Sequence, residues 1–236
     1  MSRVLVGELM DDPALDPAEH VHALRGLARL NAISRAPGVL YPILRREAQM
    51  LDRPLTIVDI ATGSADIPVA LLRRAKRDGV RFDIIACDIS PVALEHARDR
   101  ASSAQVKIVT QRLDILREEP PSADVLVCSL FLHHLTDEQV RLVLTRMCAA
   151  ARRMVLISDL RRGPWGTVLA AIIPRLVTRS HVVHVDGFRS ARAALSVGEA
   201  RAMTREIAER SGWSVERTFP ARMLIRWSPR ETSTPL

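Results

Sequence analysis

The chain predicts an α/β protein built on a mostly parallel sheet. Short, β-branched apolar runs recur along it, most end at a small or acidic residue, and most lead into a stretch with helical spacing. The clearest unit is Leu55 to Val69, L-T-I-V-D-I-A-T-G-S-A-D-I-P-V. Leu55, Ile57, Val58 and Ile60 form the run of a buried strand, with Asp59 near its carboxyl end. Ala61, Thr62, Gly63, Ser64 and Ala65 then carry little bulk, so the backbone can turn tightly and a ligand can approach it. Asp66 is placed to cap the following helix, Pro68 fits an early helical position, and Val69, Leu71 and Leu72 continue it. Strand, small-residue turn and helix N-terminus make up the nucleotide-binding half of such a sheet.

Composition bounds the rest. A chain of 236 residues with 47% hydrophobic content buries a sizeable core and falls in the single-domain range for α/β folds. The net charge of +7, from 34 basic and 27 acidic residues, suits nucleic acid, an anionic membrane surface or an acidic substrate. The basic residues are scattered along helices rather than gathered with aromatics, and only 3% of residues are aromatic, which argues for solvated faces over base stacking. Cys87, Cys128 and Cys148 lack paired metal-ligand spacing, and no ligand cluster is visible, so no metal is expected. Cys87 and Cys128 lie in apolar runs and read as buried reduced thiols. Acidic Glu8, Asp11 and Asp12 stand where a signal peptide has its apolar core, and Val168 to Ile173 ends at Pro174, far short of a membrane span. A cytoplasmic protein without a transmembrane segment is the expectation.

Which nucleotide binds follows from the turn. A dinucleotide fingerprint needs three glycines for a pyrophosphate on the helix N-terminus. Here Ala61, Gly63 and Asp66 hold those places, and a carboxylate beside a pyrophosphate is costly. A cationic cofactor without phosphate, such as S-adenosylmethionine, avoids that cost. The stretch D-I-A-T-G-S-A-D resembles the first motif of class I S-adenosylmethionine-dependent methyltransferases. In its Asp-x-Ala-x-Gly-Ser-x-Asp form it is similar to the branch containing the quinone-biosynthesis methyltransferases, although the commoner pattern has Gly at positions 61 and 65. The resemblance implies a Rossmann-like seven-stranded, mostly parallel sheet with a C-terminal antiparallel hairpin, helices on both faces and an N-terminal helical lid. It also implies that S-adenosylmethionine is held around Asp59, Ala61, Thr62, Gly63, Ser64 and Asp66.

The elements follow in order. Residues 1–50 form the lid segment: Val21, Leu24, Leu27, Leu30 and Ile33 recur at helical spacing over 18–34, Pro37 breaks that helix, and a second runs from Leu40 to Met50. Asn31 and Tyr41 are its notable polar residues. Residues 51–236 form the methyltransferase domain. Its second strand, Phe82 to Cys87, ends at Asp88, followed by Ile89 and a helix opened by Ser90 and Pro91. A carboxylate at a strand's carboxyl end can accept from both hydroxyls of a ribose, so Asp88 reads as the ribose ligand. A third strand spans Val106 to Gln111, and Asp114 and Ile115 match the family's adenine contacts. A fourth, Ala123 to Leu132, contains Ser129 and Leu130 where the family holds the methionine part of the cofactor. The next residues, His133, His134 and Leu135, resemble a structural signature of the same branch; either histidine is a candidate proton acceptor.

A fifth strand runs from Met154 to Ser158 and ends at Asp159. An insertion over about 160–195 follows, where class I enzymes build substrate covers. Trp165, Ile172, Ile173, Leu176 and Phe188 offer an apolar lining, and His181, His184 and Asp186 offer polar groups to orient an acidic hydroxyl, His184 as a further catalytic candidate. A helix from Ser196 to Ser211 and two strand-like runs, Ser214 to Phe219 and Arg222 to Trp227, close the fold before a frayed tail from Pro229. The function these features imply is methyl transfer to a small-molecule acceptor, most simply a hydroxyl of an aromatic or polyketide-derived, lipid-like compound. The alternatives are C-methylation in quinone-type biosynthesis, an RNA methyltransferase and a non-catalytic cofactor-binding module. The fourth strand lacks the Asn/Asp-Pro-Pro-aromatic turn of enzymes that methylate base amines, so nucleic acid is disfavoured as partner.

Overall fold

Alternation at period two sets the sheet. In β1 (Leu55–Ile60), Leu55 and Ile57 face one side and Val58 and Ile60 the other, and all four are buried. A strand buried on both faces belongs at the centre of the sheet. The computed structural model describes residues 3–11, 14–16, 18–19, 22–23, 26, 36–207 and 212–229. In it β1 pairs in parallel with β2 (Phe82–Asp88) and with β4 (Ala123–Ser129). With β3 (Val109–Arg112), β5 (Ala151–Leu160), β6 (Trp213–Thr218) and β7 (Arg222–Trp227) the order is β3-β2-β1-β4-β5-β7-β6, and β7 runs antiparallel to both neighbours. This is the expected seven-stranded sheet with its terminal hairpin.

The described helices are α1 (Ala36–Gln49), α2 (Asp66–Asp78), α3 (Pro91–Ser103), α4 (Asp137–Ala150), α5 (Pro164–Val177), α6 (His181–Ala193) and α7 (Val197–Ile207). Leu40, Tyr41 and Leu44 of α1 join Ile67 and Leu71 of α2 against Ile57, Ile84, Val127 and Leu156 on one face. Val140, Leu144 and Met147 of α4 and Ala200 and Met203 of α7 cover Val58, Leu126, Val155 and Ile225 on the other. Helix α1 is thus a sheet-face helix. Pro37 lies within it, the residues just before Ala36 are outside those described, and the Tyr41 hydroxyl donates to Asp78 at 2.7 Å. The helix expected over 18–34, with Asn31, lies outside the described residues except at a few positions, as do the end of α7 and the tail from 230. Cys87 and Cys128 are buried and unbridged.

Boundaries move where a local bond wins over the strand pattern. β3 begins at Val109 because the Val106 N–H closes the end of α3 on Ala101 O at 3.0 Å. β4 stops at Ser129: Leu130 has φ 56, and a single turn of 3-10 helix, Leu132–His134, follows. Helix α2 is preceded by Ala65 at φ 57, and Asp66 is its first residue rather than its cap.

Candidate functional site

A cavity of about 770 Å³ opens beyond the carboxyl ends of the parallel strands, at β1 and β4, where the strand order reverses. An open α/β sheet leaves a crevice for ligands at this switch point. One half is made by the turn after β1. Ala61, Gly63 and Ala65 have φ of 53, 55 and 57, the left-handed conformation that glycine adopts without strain and alanine at a cost of about 1–2 kcal/mol each. Three bonds hold it. Thr62 N–H donates to Cys87 O at 2.9 Å, Thr62 Oγ1 donates to Asp59 Oδ2 at 2.6 Å, and Gly63 N–H donates to Asp88 Oδ2 at 2.8 Å. The other Asp88 oxygen accepts from Ser90 N–H at 2.9 Å, so this carboxylate joins the turn to the start of α3 and keeps one lone pair on each oxygen for a ligand.

Asp59 is 4% exposed and stands behind this turn. Burial pushes its carboxyl up to about 7, with the Asp88 charge adding to the rise and the Thr62 hydroxyl opposing it. Its Oδ1 has no hydrogen-bond partner among the described residues, and neither has Ser129 Oγ, which lines the cavity. Buried polar atoms left unpaired in this way are paired by a ligand or water. Asp66 is ion-paired to Arg100 at 2.8 Å, so it presents less negative charge than its place in the sequence suggests. The same arginine reaches Ser64 Oγ at 3.4 Å. Ile89, Asp114 and Ile115 also line the cavity; Asp114 Oδ1 accepts from Leu116 N–H at 3.0 Å, and Ile115 is buried.

The other half lies between the end of β4 and the α5–α6 hairpin. Asp159, at the end of β5, is buried and accepts from Phe131 and Leu132 N–H at 3.2 and 2.6 Å and from Leu160 N–H at 2.6 Å. These bonds turn the chain after β4. They also leave Asp159 as an acceptor toward His133 Nδ1, 2.7 Å away, so that ring nitrogen carries the hydrogen and Nε2 faces the cavity side. Burial alone would raise Asp159, but His133, the Leu160 N–H and Arg222 hold its carboxyl below the usual range. Burial opposes charge on His133, yet Asp159 and Glu8 outweigh it and raise the imidazole. Arg222, 2% exposed, lines the same wall and donates to Ser158 O at 3.1 Å.

Residues 3–11 run across this half as a strap. Arg3 donates to Ala193 O, Asp137 and Leu132 O at 2.6, 2.6 and 3.0 Å, and Asp186 accepts from Leu9 and Met10 N–H at 2.7 and 3.0 Å. Glu8 is thereby set 3.8 Å from His133 Nε2 and 3.9 Å from His134 Nδ1, and Ser190 Oγ donates to it. Leu169, Ala170 and Ile173 of α5 and Val183 and Ala191 of α6 supply the apolar walls.

Several expected residues take other places. His184 does not line the cavity: its Nε2 donates to Thr178 O at 2.8 Å, closing the turn between α5 and α6. Ile172, Leu176 and Phe188 face outward, and His181 is exposed at the start of α6. The Trp165 side chain lies outside the described residues. Asp186 lines the cavity as expected and also holds the strap. The sequence signals missed Glu8, read only for its charge near the N-terminus, and the role of Asp159, read only as a strand end; both act on histidines far away in the chain.

Residues 57–153 match the methyltransferase domain family. Among curated proteins the chain is similar to a demethylmenaquinone methyltransferase of Deinococcus radiodurans, 29% identical over 107 residues. That match covers 44% of this chain and 43% of the relative, so the chain is matched to less than half of that relative's length. Among solved structures, magnesium protoporphyrin IX methyltransferase from Synechocystis PCC 6803 with bound SAH superposes with a TM-score of 0.60 at 14% identity, covering 92% of this chain and 90% of that one. An O-methyltransferase family 2 protein from Planctomyces limnophilus in complex with apigenin gives 0.65 at 16% identity, covering 92% and 63%. At these identities the likeness is one of fold.

Proposed function

We propose that this protein transfers the methyl group of S-adenosylmethionine to a hydroxyl of a small, largely apolar acceptor such as an aromatic or polyketide-derived compound. The observation that carries the reading is one continuous cavity, with a left-handed turn and unpaired Ser129 Oγ at one end, Asp59 buried behind that turn with its Oδ1 unpaired, and apolar helix walls with Glu8, His133 and His134 at the other. The residues at the first end suit this cofactor. A buried carboxylate behind the turn favours a cation, Asp88 retains lone pairs for two ribose hydroxyls, and Asp114 with buried Ile115 offers an acceptor and an apolar surface to adenine. Ser129 and Leu130 would meet its amino-acid end. Bound there, S-adenosylmethionine supplies an electrophilic methyl group on a good leaving group.

What the chain contributes is alignment and exclusion of water. The α5–α6 hairpin and the strap close the acceptor end, and Glu8, His133 and His134 stand where the proton of an acceptor hydroxyl would be handled. The partner on this reading is a small molecule, with no role for nucleic acid. The similarity to a demethylmenaquinone methyltransferase favours one second reading, methylation of a ring carbon in a quinone precursor. A radiolabelled-methyl assay on paired pools, total RNA against aromatic and lipid extracts, tests both. Label in the small-molecule pool is expected, and product analysis separates oxygen from carbon; label confined to RNA at physiological salt would overturn the reading.

A further inference from the structure

We propose that Glu8, His133 and His134 form a binding site for a divalent first-row transition-metal ion. One carboxylate and two imidazoles each offer a ligand atom, and these atoms lie within 4.8 Å of one another. The distances from Glu8 Oε1 to His133 Nε2 and His134 Nδ1 are 3.8 and 3.9 Å. A tetrahedral ion with bonds of ~2.05 Å needs ligand separations of about 3.3 Å, so the Glu8 carboxylate must close on each imidazole by about half an ångström and the two imidazole nitrogens, within 4.8 Å of one another, by as much as about 1.5 Å through ring rotation.

The surroundings are built as a metal site's are. His133 donates through Nδ1 to the saturated Asp159 carboxylate, which fixes the ring and its tautomer and leaves Nε2 as the ligating atom; a carboxylate–histidine pair of this kind commonly orients metal-bound imidazoles. Glu8 is fixed by the Asp186 bonds to Leu9 and Met10 N–H and by Ser190 Oγ. Two imidazoles favour zinc, copper, nickel or iron over magnesium. The charge includes two carboxylates beside the imidazoles, Glu8 at the cavity and Asp159 behind His133, with Arg222 next to Asp159 and Arg161 in the cavity wall opposing them.

All three ligands line the cavity, so an ion held by them keeps open positions toward the acceptor space. The acceptor class this selects is a chelating one, with a hydroxyl beside a second hydroxyl or a carbonyl. Binding of the ion itself does not depend on the methyl-transfer reading.

The test uses the full chain, stripped with a chelator and titrated with Zn²⁺ by calorimetry and with Co²⁺ by visible absorption. One equivalent should bind, with Co²⁺ giving the intense d–d bands of a low-coordinate site. Glu8→Gln and His134→Ala should each weaken binding at least tenfold. His96→Ala, exposed on α3, should leave it unchanged. Thermal melts of the variants report that they fold, and S-adenosylhomocysteine affinity, read in parallel, should be retained in all of them. Absence of saturable binding of either ion, or wild-type binding in the folded Glu8→Gln and His134→Ala variants, would overturn the proposal. Retained metal binding with no cofactor binding would instead sink the methyl-transfer reading alone.

Discussion

At the scale of single residues, Asp88 and Asp59 set the cofactor end of the cavity, and they act differently. Asp88 braces Gly63 and Ser90 while keeping lone pairs for a ligand. Asp88→Ala therefore removes both the brace and two charge-assisted bonds, and should cost about 2–4 kcal/mol of S-adenosylhomocysteine affinity by calorimetry. Unchanged affinity would mean that the ribose is held elsewhere. Asp59 has a folded-state pKa raised to about 7, above the ordinary aspartate value. Between those two values the folded protein holds a proton that the unfolded chain has lost, so Asp59 ionisation lowers stability as pH rises through that window and is fully felt above about 7. A cationic ligand favours the ionised form. Cofactor affinity should then rise as pH increases through about 7, with proton release seen as a dependence of the binding heat on buffer, and Asp59→Asn should flatten that profile.

At the scale of elements, the cover is a helix pair held close by small residues. A Cβ on Gly166 would sit 2.8 Å from Arg161 O, a backbone atom that cannot swing aside, so Gly166→Ala must displace the start of α5. The expected result is a lower melting temperature and a raised acceptor KM with cofactor affinity kept; equal loss of both would show that the two halves of the cavity are not separable. The turn after β1 has the opposite sensitivity. Gly63 has open space around a would-be Cβ but φ +55, so Gly63→Ala should cost about 1 kcal/mol by denaturant unfolding through backbone strain alone. Most element positions were legible because apolar period and turn residues act within a few neighbours. Those that moved did so through bonds from distant residues, as when Asp159 takes the Phe131 and Leu132 N–H groups and ends β4 three residues early.

At the scale of the whole molecule, the end of the sheet opposite the cavity is tied by Asp124. This buried carboxylate accepts from Arg53 at 2.6 and 2.8 Å and from Thr56 N and Oγ1 at 3.0 and 2.8 Å, with Arg152 at 3.5 Å, joining β1, β4 and β5. The Arg53 bonds, with the Thr56 donors, hold its carboxyl well below the usual carboxylate range. A depressed pKa contributes stability that is complete above the unfolded value of ~3.9 and is lost as pH falls below it. Asp124→Asn should cost about 1–3 kcal/mol at neutral pH, and the gap between mutant and wild type should close on acidification. Parallel melts measured from neutral pH downward check this. The net charge of +7 belongs to the same scale. If it only solvates the surface, RNA binding should be weak and vanish with salt, whereas methyl transfer inside the apolar-walled cavity should be nearly insensitive to moderate salt.

The sequence by itself determined the strand segments, the nucleotide-binding turn and Asp88 at the end of β2. Each of these is written within ten or so consecutive residues, where side-chain period, bulk and backbone freedom act directly. The left-handed Ala61 and Ala65 show the limit of that reading: the departures from glycine were visible, and the strain they carry was not. Tertiary structure alone decided what surrounds each charge. It set Arg100 on Asp66, turned His184 to Thr178 O, and brought Glu8 to His133 across more than half of the chain. Those contacts depend on how helices and strap pack over the sheet, and packing is a property of the whole assembled core, so no local pattern announces it.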